Sequence, residues 1–145
     1  MWKTACGFAA GLALLATSAL AAPAGLTEGT PDLKSAGPLA FGPDGILFVG
    51  DTHSAAIFAI ATGDTSGDPA KGQLTIENIE EKNAGMLGTT ARDVQIEDLA
   101  VNPKTGNAFL SVSRGKGPDA QPVLLKVDGS GNISEVSLQN VAFAK

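Results

Sequence analysis

Cysteine, tyrosine and histidine are almost missing from this 145-residue chain, which has one Cys, no Tyr and one His. The cysteine is Cys6, so the rest of the chain can form no disulfide, and a fold without disulfides rests on packing alone. His53 has no paired Cys or second His, which excludes the spaced zinc motifs and leaves little for proton transfer. Basic residues are the minority, 10 Lys and Arg against 15 Asp and Glu, giving a net charge of −5. That balance argues against nucleic acid and against an anionic membrane surface as partners. Phosphate-loop and Gly-x-Ser-x-Gly nucleophile patterns are also missing, and Gly129-Ser130-Gly131 reads as a hairpin turn.

One long apolar run is present, at the start. Met1-Trp2-Lys3 supplies a short positive end, Ala5 to Leu20 is apolar apart from Thr17 and Ser18, and Ala19-Leu20-Ala21 fits small-x-small cleavage. Residues 1–21 therefore read as a cleavable secretory signal helix, too short to span a bilayer comfortably. Cys6 lies at the front of the run, whereas a lipid-anchoring cysteine would follow it. The expected location is secreted or periplasmic, with no membrane association after cleavage.

The mature region carries one phrase twice. Pro38-Leu39-Ala40-Phe41-Gly42-Pro43-Asp44-Gly45-Ile46-Leu47-Phe48-Val49 returns as Asp98-Leu99-Ala100-Val101-Asn102-Pro103-Lys104-Thr105-Gly106-Asn107-Ala108-Phe109-Leu110, with Leu39 and Leu99 60 residues apart. A self-similar unit of this size cannot bury its apolar face alone and is built to stack on its copies. Each copy divides into four β signals with turns between them. In the first they are Leu39–Phe41, Ile46–Val49, Ala56–Ala61 and an alternating outer strand, Gln73–Ile79. In the second they are Ile96–Val101, Ala108–Val112, Val123–Val127 and Ile133–Leu138. Between the copies, Thr89 or Thr90 can cap a helical turn, while glycines weaken any long helix. The divisions that follow are a linker at 22–36, a first unit at 37–80, a short helical insertion at 81–93, a second unit at 94–139, and the opening of a third at 140–145. Leu39, Phe41, Leu47, Val49, Ile57, Ile60, Leu99, Val101, Phe109, Leu124 and Val127 are the expected core.

Four short antiparallel strands per unit describe a β-propeller blade. The stretch Gly37 to Asp51 resembles an NHL-type blade and is similar to blades of the gluconolactonase and senescence-marker-protein propellers. The resemblance covers about Gly37 to Leu138. It implies an all-β fold: a partial propeller of two four-stranded blades plus the start of a third. Because propellers close with four to eight blades, the chain is expected to be an N-terminal piece with the remaining blades its partners; the other reading is a small domain that assembles into a ring from several chains. Because no catalytic set is visible, the favoured function is a binding or interaction module for a small-molecule or protein ligand. The alternative is a metal-dependent lactonase or esterase of the gluconolactonase type.

The resemblance also suggests where a ligand would sit. Gluconolactonase-like propellers hold one divalent metal in the central channel on carboxylate and amide groups at inner-strand starts. In this sequence that position falls on Glu97, with Asp98 beside it, and Ca2+ or another hard divalent cation would suit such oxygens. In the first copy the same position is Gly37, which has no side chain to offer. The other reading of Glu97 and Asp98 is as rim charges or turn acceptors. Asp51 is expected to bond the backbone of a neighbouring loop, and His53 and the basic Ser113-Arg114-Gly115-Lys116-Gly117-Pro118 stretch are expected to be surface loop.

Overall fold

The computed structural model describes residues 22–71 and 75–145. The expected signal segment, residues 1–21, lies outside the described residues, as do Gln73 and Leu74 of the expected outer strand. In chain order the strands are β1 (Thr27–Gly29), β2 (Leu39–Phe41), β3 (Ile46–Asp51), β4 (Ala56–Ala61), β5 (Val94–Val101), β6 (Ala108–Arg114), β7 (Gln121–Val127), β8 (Ile133–Glu135) and β9 (Val141–Ala144), with helix α1 (Ile79–Met86) between β4 and β5. The chain is mostly β, in two antiparallel sheets that do not close into a barrel. Sheet 1 has five strands in the order β1-β9-β4-β3-β2, and sheet 2 has four in the order β5-β6-β7-β8.

Turn chemistry sets both first hairpins. Pro43 opens one 3-10 turn, and Asp44 and Gly45 follow in the left-handed region at φ 57° and 72°. The Gly42 amide closes the turn on the Ile46 carbonyl at 2.8 Å. Gly45 has a second constraint, because a Cβ there would stand 2.8 Å from the Asp64 carbonyl oxygen. In the second copy the Asn102 side chain accepts the Lys104 amide at 3.0 Å and its carbonyl accepts the Gly106 amide at 2.8 Å. The longer Asn102–Asn107 turn is thus an Asx turn, which Asn favours locally. Asp128 does the same work before β8, accepting the amides of Ser130 and Asn132.

The equivalence of the two copies holds at the level of pairing. Leu39 faces Val49 across β2 and β3, and Leu99 faces Leu110 across β5 and β6. The sheets then stack face to face. Leu47, Val49, Phe58 and Ile60 of sheet 1 form one buried cluster with Phe109 and Leu124 of sheet 2, and the Phe41 and Phe109 rings meet edge-on at 5.0 Å. The opposite face of sheet 2, with Leu110, Val112, Leu125 and Val127, packs under Ala84 and Leu87. The layers are therefore sheet 1, sheet 2 and α1.

Four sequence expectations are corrected. First, the outer strand at Gln73–Ile79 does not form over its described part: Thr75 to Asn78 are in no strand and Ile79 begins α1. Glu80 and Glu81 fall in the first helical turn, where the dipole favours them, and Ile76 and Ile79 pack toward sheet 2. Second, the place beside β4 is taken by β9, from the segment expected to open a third unit; it pairs Ala59 with Ala144 and Ile60 with Phe143. Third, residues 22–36 are tied down: β1 pairs with β9, and Ala36 is buried. Fourth, Ile57, Leu99 and Val101 are exposed, while Phe58, Leu110, Val112 and Leu125 fill the core. A strand presents alternate residues to opposite faces: Ile57 lies on the outward face of sheet 1, whereas Leu99 and Val101 share the α1 side of sheet 2 with Leu110 but stay exposed.

Candidate functional site

Glu97 and Asp98 are adjacent in sequence and do different things. The register of β5 against β6 slips between Ile96 and Asp98, so Glu97 is the extra residue of a β-bulge. Glu97 is exposed, 3.5 Å from the Gln95 side-chain amide. The bulge turns Asp98 toward sheet 1. One of its carboxylate oxygens accepts the Leu39 amide and the other the Leu99 amide, both at 2.8 Å. Those two bonds hold the Asp98 carboxyl below its ordinary pKa. Beside it, the buried Ser111 hydroxyl donates to the Gly37 carbonyl at 2.7 Å. Asp98 and Ser111 together latch the first copy's inner strand to the second copy. Both Asp98 oxygens are thus on backbone amides, while Glu97 lies on the bulge beside Gln95, so the two neighbouring carboxylates have separate partners. Among the described residues, no three His, Cys, Asp or Glu side chains converge on a metal position.

A second polar lock was not singled out in the sequence. Asp64, buried in the loop after β4, accepts Asn102 Nδ2 at 2.9 Å, Thr105 Oγ1 at 2.5 Å and Asn107 Nδ2 at 2.8 Å, with Lys126 Nζ at 3.8 Å. Its carbonyl takes a further bond from Asn102 Nδ2 at 2.7 Å. The signal was there to find: Asn102, Thr105 and Asn107 crowd one turn with side-chain donors, and an acidic loop residue is their natural acceptor.

The remaining candidates are peripheral. Asp51 is buried and accepts the amides of Lys34, Ser35 and Ser54 and the Ser35 hydroxyl. Burial alone would raise its pKa, but these bonds outweigh burial and lower it. His53 is exposed, its amide on Ser35 Oγ at 3.2 Å. Arg114 and Lys116 are exposed at the β6–β7 hairpin.

The outward face of sheet 1 carries exposed apolar side chains, Phe48 and Ile57. β3 and β4 read Ile46-Leu47-Phe48-Val49 and Ala56-Ile57-Phe58-Ala59-Ile60-Ala61, apolar on both faces, the pattern of strands covered on both sides. Yet Phe48 is 39% and Ile57 65% exposed. A shallow groove runs between Pro38, Leu39, Ala40, Phe48, Gly50 and Ile57. Pairing register assigns this face a counterpart. Ala40 faces Phe48, which faces Ala59; Ala100 faces Phe109, which faces Lys126. Gly50 faces Ile57, and Ser111 faces Leu124. Phe48, Gly50 and Ile57 thus stand where Phe109, Ser111 and Leu124 stand in sheet 2. Those counterparts are 1%, 0% and 1% exposed, because that face of sheet 2 is pressed against sheet 1.

The correspondence stops at the polar latch. Pro38 and Gly50 occupy the positions of Asp98 and Ser111, so the outward face of sheet 1 has the apolar residues of a docking face without its side-chain hydrogen bonds. No known protein family, curated protein or solved structure matches this chain.

Proposed function

We propose that this chain is an exported, propeller-type repeat protein that works as a binding and interaction module. Its working surface is the outward face of sheet 1, and its partner is another β-sheet of the same repeat type. One observation carries the reading: Phe48, Gly50 and Ile57 are the register counterparts of three residues that sheet 2 buries against sheet 1. Exposed apolar faces of this kind mark interaction sites or aggregation liabilities. With Pro38 and Gly50 in place of Asp98 and Ser111, attachment is driven by apolar burial alone and is reversible. Export rests on residues 1–21.

Sedimentation of the protein purified after export tests this. The wild-type chain should associate as its concentration rises. A Phe48→Thr, Ile57→Thr variant should keep the same circular dichroism and stay monomeric. Wild-type protein that remains monomeric over the whole accessible range would overturn the reading.

A further inference from the structure

We infer that the partner sheet belongs to a second copy of this chain, docked head to tail, and that α1 is a cover which the incoming sheet displaces; this rests on the docking reading above. The face of sheet 1 that receives sheet 2 is built from Leu39, Phe41, Leu47, Val49, Phe58 and Ile60. By register their counterparts in sheet 2 are Leu99, Val101, Ala108, Leu110, Leu125 and Val127. Sheet 2 therefore carries a second receiving face, apolar throughout, on the side away from sheet 1. Each copy thus holds both halves of the contact it already makes internally: a docking face outward on sheet 1 and a receiving face under α1.

The cover over that receiving face fits it poorly. Leu99 and Val101 are each 51% exposed beyond its reach. Asn83 of α1 is fully buried, and neither its Oδ1 nor its Nδ2 has a hydrogen-bond partner, a costly arrangement for an amide out of water. The helix begins after Asn78, a left-handed residue at φ 54° that makes no side-chain cap, and Gly85 inside it lowers its intrinsic stability. Moving α1 aside returns the Asn83 amide to water and frees Leu110, Leu125 and Val127 for an incoming Phe48 and Ile57. Because the two faces differ, the contact is heterologous and propagates to rings or open chains rather than stopping at a symmetric pair.

Two surface variants separate the halves. Phe48→Lys with Ile57→Lys removes the docking face; Leu99→Lys with Val101→Lys removes the receiving face at positions already exposed. Sedimentation should find each variant monomeric alone and their equimolar mixture a dimer that grows no further, while the wild type grows beyond dimers. Asn83→Leu, which repairs the cover, should raise the concentration needed for association at least tenfold. If the receiving-face variant associates alone, outward faces pair with each other: the head-to-tail inference fails and the docking reading stands. Association indifferent to Asn83→Leu would likewise overturn the displaced cover. A wild type that never associates overturns both readings.

Discussion

Phe48 and Phe109 occupy the same register position on the second strand of their sheets, and both point away from their own repeat's receiving face. Phe109 is 1% exposed, its ring against Phe41, and Phe48 is 39% exposed. The residue type and the strand are the same, so the difference comes from what lies opposite. The internal contact has its neighbour and adds the Asp98 and Ser111 latch; the outward face offers the same apolar relief to solvent without the latch. The same register positions are thus covered in one sheet and open to solvent in the other, and under the proposal above the covered copy indicates the kind of sheet the open one would meet.

The largest effect that can break this comparison is a truncation pair. Phe109→Ala should cost about 3–5 kcal/mol of stability, whereas Phe48→Ala in dilute protein should cost less than about 1 kcal/mol. Urea unfolding of both variants checks this, and equal losses would mean that the two positions are not one interface in two states. Next comes the polar lock between the repeats. Asp64→Ala strands the Asn102, Thr105 and Asn107 donors and should cost roughly 2–3 kcal/mol, again read by urea unfolding. Asp98→Ala should cost less, about 1–2 kcal/mol, and should speed hydrogen exchange at the Leu39 amide while leaving β6–β7 amides unchanged.

The smallest effect is pH dependence. The Asp51 and Asp98 carboxyls both titrate below their ordinary range in the fold. Their stabilisation is therefore fully present above the unfolded value, near pH 4, and fades as pH falls through the lower folded values. Urea midpoints should drop between about pH 5 and pH 2, and Asp51→Asn should flatten that drop while lowering stability at pH 7. The outward face has Pro38 in the place of Asp98, so association through it should not follow this titration.

Much of this fold can be read from residues. The twin phrases, the Pro-Asp-Gly turn and the strand runs from Leu39 to Ala61 and from Ile96 to Val127 appear in the structure close to where pattern puts them. Faces were harder to read: Ile57, Leu99 and Val101 look like core because apolar runs such as Ala56–Ala61 have no polar alternation to tell one side from the other. The outer edge of sheet 1 failed for a different reason. Thr75, Ile76 and Glu77 alternate like a strand, but local alternation cannot report that β9, far along the chain, takes that edge by pairing Ala144 with Ala59. At the site, Asp98 was visible as a position, but its role depended on a bulge at Glu97, a register event that no local residue signals. The Asp64 lock joins two loops whose meeting is a tertiary fact.

Phe48 and Ile57 are the proposed docking face, and both are exposed in the single chain. Hydroxyl-radical footprinting across a concentration series reads that face directly. Labelling of Phe48 and Ile57 should fall as concentration rises, with Phe41 and Phe109 low throughout. Labelling of Phe48 and Ile57 that stays constant from the most dilute to the most concentrated sample would contradict the account.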